Sequence, residues 1–268
     1  MANQPAGFQT IDVAGVATEI VIRGSGRPIL YLHGGEGIEP DLGFVDALAA
    51  TGTVYAPSHP GFGGSDLPRR FSTVDDLAYH YLDLIESLDL TDCAVVGASF
   101  GGWIAAQLAI KASPRIAALV LIDPLGIKVS GPETRDIVDL FFHSPEEQRG
   151  LLYADPPPVE RPDSIEAATR IARNRESFSL YGWSPTLYDP KLHQRLHRIA
   201  VPTLLLWGAE DRVVSPAYGR AYADAIPGAA FSLIAGAGHY PHIEQTTATA
   251  GELARFLTGQ RAKAGEVA

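Results

Sequence analysis

Ala94-Val95-Val96-Gly97-Ala98-Ser99-Phe100-Gly101-Gly102 is the stretch on which the reading of this chain turns. Its apolar, β-branched start reads as a buried strand that stops at Gly97, and Phe100 to Lys111 reads as a helix. A G-x-S-x-G sequence between a strand and a helix places its serine on a sharp, strained turn with the hydroxyl projecting. Small residues two before and two after Ser99 permit the close backbone approach such a turn needs. The helix N-terminus just beyond supplies unpaired N–H groups and a partial positive field, which stabilise a developing oxyanion. Ser99 is therefore the candidate nucleophile, and the N–H of Phe100 is a candidate oxyanion donor. The competing reading is an ordinary glycine-serine turn, which the flanking strand and helix disfavour.

Outward from that turn, strands and helices alternate. Phe8–Val13 and Ala17–Arg23 alternate apolar and polar residues as an edge hairpin would. Ile29–Leu32, Thr53–Ala56 and Ala118–Ile122 are short apolar runs. Helices are expected over Asp41–Ala50 and from the capping residue Thr73 to Leu88. Continuous apolar strands separated by helices predict an α/β chain with a mostly parallel sheet covered on both faces. The pattern breaks after Pro124 and returns with strands at Thr203–Trp207 and Phe231–Ile234 and helices near Ala217–Ala225 and Ile243–Leu257. Between them, Glu133–Phe142, Pro145–Tyr153, Ser164–Tyr181 and Leu192–Arg198 read as helices with no strand among them. Residues 1–125 and 201–268 are thus expected to form the core, with 126–200 a helical cap insertion. The tail from Arg261 is expected to fray.

The remaining chemistry sits where strands end. Ile29–Leu32 runs into His33-Gly34-Gly35-Glu36-Gly37, whose backbone can turn inward, so the N–H of Gly35 is the second candidate oxyanion donor, with Gly34 the alternative. Neither a phosphate loop nor a dinucleotide fingerprint fits these glycines. His33 reads as a brace for the loop. Asp211 lies just past Thr203–Trp207, and His239 follows the next strand in Gly236-Ala237-Gly238-His239. Both loops belong at the carboxyl edge of a parallel sheet. A base at His239, oriented by Asp211, would take the Ser99 proton and return it to the leaving group. Glu210 and Asp123 are rival acids, and His242 a rival base. The histidines show no metal-ligand spacing, so neither a metal nor another cofactor is expected.

Composition narrows the class. The chain has 268 residues, 46% hydrophobic, and a formal net charge of −10. That length and content support one sizeable core. No basic block points to nucleic acid. The single cysteine, Cys93, precludes an intrachain disulfide and reads as a core thiol. With neither a signal peptide nor an 18-residue apolar run, a cytoplasmic protein off the membrane is expected. Homo-oligomer formation is left open.

Taken together, Leu32-His33-Gly34-Gly35, His59-Pro60-Gly61-Phe62-Gly63-Gly64-Ser65-Asp66, Gly97 to Gly102, Trp207-Gly208-Ala209-Glu210-Asp211 and Gly238-His239-Tyr240-Pro241-His242-Ile243-Glu244 give the chain its likeness. It resembles the α/β-hydrolase superfamily, in the branch of small esterases, meta-cleavage-product hydrolases, epoxide hydrolases and haloalkane dehalogenases. The resemblance implies an eight-stranded sheet, a cap inserted after the sixth strand, an oxyanion donor at Gly35 and a structural Gly61–Gly64 turn. Epoxide hydrolases and dehalogenases carry an aspartate where Ser99 stands, so those activities are not implied.

The substrate pocket is expected between sheet edge and cap, lined by Gly34, Phe142, Tyr153, Trp183, Tyr188 and Tyr240, with Phe141, Leu151, Leu152, Phe178, Leu180, Tyr181 and Leu187 also supplying apolar and aromatic surface. A small, partly apolar substrate follows. Arg170, Arg173 and Arg175 read as an exposed helix face, with a substrate carboxylate as their alternative partner. The main expectation is a serine hydrolase of a carboxylic ester or lactone, acting through an acyl-enzyme on Ser99. One alternative is hydrolysis of a carbon–carbon bond in a dienoate-type ketone, for which an arginine facing Ser99 would be the sign and Arg175 and Trp183 the candidates by location. The other is a non-enzymatic ligand-binding protein on the same fold.

Overall fold

The computed structural model describes residues 7–159, 161–183 and 186–265. Eight strands form one sheet in the order β1-β2-β4-β3-β5-β6-β7-β8. They are β1 (Phe8–Val13), β2 (Val16–Arg23), β3 (Pro28–Leu32), β4 (Thr53–Pro57), β5 (Cys93–Ala98), β6 (Ile116–Ile122), β7 (Thr203–Gly208) and β8 (Ala230–Ile234). The first two form the expected hairpin, β2 joins β4 antiparallel, and every other pairing is parallel.

The helices are α1 (Leu42–Leu48), α2 (Val74–Ser87), α3 (Phe100–Ala109), α4 (Pro145–Leu152), α5 (Ile165–Gly182), α6 (Leu192–Arg195), α7 (Pro216–Asp224), α8 (Pro241–Glu244) and α9 (Thr246–Gly265). Side chains alternate across the pleat, which divides the core in two. Leu30, Leu32, Val95, Leu205 and Trp207 meet α2, α3 and α7 on one face. Ile29, Tyr31, Ala94, Val96, Leu204 and Leu206 meet α1 and α9 on the other. Both faces are buried, hence the unbroken apolar strands. Thr73 caps α2 with a capping box closed by Asp76. Among the described residues, three helices, α4 to α6, lie between β6 and β7 as an insertion that adds no strand to the sheet.

Three expected elements differ. Glu133–Phe142 is not a helix: only the 3-10 turn Leu140–Phe142 forms. Asp136 instead accepts the N–H groups of Val129 and Ser130, and Ile137 bridges to Val214. A short carboxylate that satisfies backbone donors locally competes with helix. The last helix is two pieces, because Gln245 breaks from helical geometry at φ −126°, ψ 48°. The second piece runs on to Gly265, past the expected frayed start at 261, and 266–268 lie outside the described residues. Among the described residues no helix is long and apolar enough to cross a membrane.

Candidate active site

Ser99 joins β5 to α3 with φ +52° and ψ −113°, a left-handed strain for a residue with a Cβ. The surroundings hold it there. Its N–H donates to Ile122 O at 2.8 Å, and its carbonyl accepts from Leu125 N at 3.1 Å and Trp103 N at 3.2 Å. Gly101 is required because a Cβ there would collide with the Leu32 and His33 carbonyls. The start of α3 and the end of β3 can approach only across that gap.

The ends of β5, β7 and β8 bring three side chains together. His239 Nε2 lies 2.8 Å from Ser99 Oγ, and His239 Nδ1 lies 2.8 Å from Asp211 Oδ2. Asp211 Oδ1 accepts the N–H groups of Val213 at 2.7 Å and Val214 at 3.0 Å. All three residues are buried, Ser99 retaining 4% exposure toward the cavity. Carboxylate on Nδ1 places the proton there and leaves Nε2 free to accept from the serine hydroxyl. That is a proton-relay geometry for an attacking oxygen.

Glu244 supports it from α8, a role the sequence pattern did not single out. Its Oε2 accepts Gly238 N at 2.7 Å and its Oε1 accepts Ala154 N at 2.8 Å. His239 N also donates to Leu152 O at 2.7 Å. The histidine loop is thereby tied to the end of α4. Gly208 admits the loop, since a Cβ there would strike the Ala237 and Gly238 carbonyls.

The rivals fall elsewhere. Glu210 is exposed. His242 Nε2 bonds Asp41 Oδ1 at 3.2 Å, whose other oxygen accepts from Tyr31 OH at 2.7 Å. His33 braces the glycine loop: its Nε2 accepts His59 N at 3.0 Å, so its Nδ1 donates to Gly34 O at 2.7 Å. His59 Nε2 donates to His33 O at 2.9 Å, so its Nδ1 accepts from Tyr81 OH. Burial holds both rings below the ordinary histidine range. Asp123 stands beside Asp211, fully buried; burial, and then the charge of Asp211, push its carboxyl well up. Ligand atoms of Asp123, Asp211 and His239 lie within 4.8 Å of one another. Both nitrogens of His239 are already engaged, so the cluster reads as a hydrogen-bond chain rather than a cation cage.

A cavity of 740 Å³ opens onto Ser99 and His239 beneath the insertion. Gly35 lines it, and Gly34 lies against the serine: a Cβ on it would be 3.6 Å from Ser99 Cβ. Phe100 is wholly buried next to the nucleophile. Of the other expected lining residues, Tyr153 and Tyr240 face the cavity. Phe142 does not: it is 89% exposed, on the outside of its 3-10 turn. Trp183 and Tyr188 are not among its lining residues: Trp183 is 54% exposed with its ring edge-on to Phe141, and Tyr188 bridges to Gly126. Phe141 and Phe178, expected there too, line the cavity together with Leu140 and Ile171.

The three arginines of α5 are not a common exposed face. Arg170 pairs with Glu19 and Glu39, Arg173 donates to the carbonyls of Gly61 and Ser65, and only Arg175 turns into the cavity. Asn174, between them, donates to Glu36 O at 2.8 Å and accepts Gly63 N at 2.9 Å. The Gly61–Gly64 turn is thus a docking edge for α5. Glu36 borders the cavity: crowding by protein atoms and then the charge of Asp41 raise its carboxyl, against the pull of Arg175 and Arg149.

Residues 29–252 match the family model described as "Alpha/beta hydrolase family". The chain belongs to the alpha/beta hydrolase family. Its Ser99–His239–Asp211 arrangement places it among the serine hydrolases of that family. Curated relatives include a 2-hydroxymuconate semialdehyde hydrolase from Pseudomonas sp. (strain CF600), 28% identical over 95% of each chain. The acetyltransferase component of an acetoin cleaving system from Cupriavidus necator is 28% identical, over 95% of this chain and 70% of that protein. Among solved structures, the carbazole-degradation serine hydrolase CarC superposes with TM-score 0.77 at 23% identity, covering 94% of this chain and 98% of its own. A membrane phospholipase A superposes with TM-score 0.80 at 24% identity, covering 96% and 87%. At such identity the superpositions establish the alpha/beta hydrolase fold alone.

Proposed function

We propose that this alpha/beta hydrolase cleaves a carbon–carbon bond in a vinylogous keto acid, with residues 126–200 as the cap over the site. Ser99 Oγ attacks the ketone carbonyl as His239 takes its proton. The N–H groups of Phe100 and Gly35 hold the oxyanion. Collapse expels the dienoate carbon, which conjugation stabilises and His239 protonates. Water, activated by the same imidazole, then releases the acyl group from Ser99.

The observation that carries this reading is Arg175, which lines the same largely apolar and aromatic cavity as Ser99. An arginine there offers a planar fork for a carboxylate. The near full-length likeness to a 2-hydroxymuconate semialdehyde hydrolase supports it. One observation favours carboxylic ester hydrolysis instead: Glu36 sets an acid at the same mouth, where a neutral substrate meets no repulsion.

The test uses a dienoate ketone, followed by loss of its absorbance, beside a neutral p-nitrophenyl ester. Turnover of the dienoate is expected, with Arg175→Ala raising its KM about tenfold or more, as for a lost charged hydrogen bond, and leaving the ester nearly unchanged. Ser99→Ala should abolish both activities and labelling by a fluorophosphonate. Turnover of esters alone by the wild type would reject the carbon–carbon reading.

A further inference from the structure

Asp123 takes no part in the reaction above, yet it is fully buried against the residues that do. It ends β6 at φ +42°, a left-handed conformation in which aspartate and asparagine are the most tolerated side-chain-bearing residues. Its Oδ1 accepts Gly208 N at 2.9 Å. Its Oδ2 is buried and accepts from no donor. Asp211 is differently placed: two backbone N–H groups and the imidazole all point at it. The titratable and charged groups facing Asp123 are Asp211, His239 and, from α8, Glu244.

Two adjoining carboxylates shielded from water do not both ionise. Three donors hold the charge on Asp211 and one holds it on Asp123, so the charge settles on Asp211 and the proton on Asp123. The oxygen with no donor is where that proton belongs, since a hydroxyl there has Asp211 to donate to. We infer that Asp123 is a protonated carboxylic acid whose Oδ2–H donates to the Asp211 carboxylate, making it a positioning residue for the Asp211–His239 pair. It spares Asp211 a buried like charge and keeps the shared proton on His239 Nδ1. This holds whichever bond Ser99 attacks.

Asp123→Asn is isosteric, keeps a carbonyl for Gly208 N and presents N–H to Asp211. The rate of fluorophosphonate labelling at Ser99 is measured against pH for wild type, Asp123→Asn and Asp123→Ala. Asp123→Asn is expected to keep the wild-type rate and the wild-type acidic limb. Asp123→Ala, which loses the donor, should label roughly ten- to a hundredfold more slowly. If Asp123 is instead ionised, Asp123→Asn removes a negative charge beside the imidazole, and the limb moves down by about one to three pH units. That shift, or an Asp123→Ala rate equal to wild type, overturns the inference.

Infrared spectroscopy of wild type carrying isotope-labelled aspartate needs neither variant nor activity. A protonated aspartic carboxyl band near neutral pH is expected, and its absence overturns the inference. Failure of wild type to label at all would count against the serine-hydrolase assignment and leave the band to decide this one.

Discussion

Replacing Arg170 by methionine isolates the ion pair that fastens α5 to the core. Arg170 donates to Glu19 Oε1 at 2.8 Å and to Glu39 Oε1 through Nε at 2.7 Å. The Glu19 side chain is 1% exposed and that of Arg170 23%. Burial alone would raise the Glu19 carboxyl; bonds from Arg170, Gly64 N and Ser58 Oγ outweigh it and hold it below the usual range. Removing one partner of a buried pair costs about 3–5 kcal/mol. Here two donors to Glu19 survive and water reaches the Arg170 end, so the cost falls at or just below the bottom of that range, about 2–3 kcal/mol. Methionine keeps the stem's packing, which separates the charge from the contact. Urea unfolding followed by circular dichroism measures the loss, and the melting temperature should fall by about 5–10 °C.

The sign with pH follows. In wild type the depressed Glu19 contributes stability above its ordinary value of 4.5, lost as pH falls through its folded value. In Arg170→Met an unpaired buried carboxylate penalises the fold as pH rises, so the two proteins should converge in acid. Adding Glu19→Gln to Arg170→Met removes the stranded charge and should recover most of the loss. A penalty below about 1 kcal/mol at neutral pH, or one that persists unchanged in acid, would refute the reasoning.

Two further outcomes follow from buried groups outside the site. His80 bonds the Thr18 hydroxyl at 3.3 Å, and burial, then nearby Arg70, lowers it from 6.5 to about 4. The unfolded chain therefore binds more protons between those values, and wild type should lose up to about 3 kcal/mol as pH falls through that window; a flat urea midpoint there, or an equal slope in His80→Gln, would contradict it. Burial pushes the Cys93 thiol up to about 12, so an aromatic disulfide reagent should leave the native protein untouched at mildly alkaline pH and react once urea unfolds it.

The sheet was legible because its central parallel strands are buried on both faces and leave unbroken apolar runs, as in Ala94–Val96. Ser99, Asp211 and His239 were legible because each lies within a few residues of a strand's carboxyl end, so strand ends located them without any contact being known. The insertion was read less well. Arg170 and Arg173 look like a solvated helix face because their partners, Glu19 and the Gly61–Ser65 turn, lie more than 100 residues away. Asn174 and Glu244 act across similar or still local gaps through single side-chain bonds that carry no periodicity. Phe141 and Phe142 both read as pocket aromatics, yet Phe141 lines the cavity while Phe142 is exposed on the 3-10 turn. The boundary between an aromatic that lines a cavity and its outward neighbour is one residue wide, and residue type does not mark it.

The left-handed backbone at Ser99 sets durability against reactivity at a single position. A relaxed geometry there would lower the energy of the native state, but it would swing the hydroxyl away from the imidazole. Such strain costs about 1–3 kcal/mol, a sizeable share of what an ordinary domain has in reserve. Selection for heat tolerance would find gains at this residue only by surrendering the nucleophile, and so must look for them elsewhere in the chain.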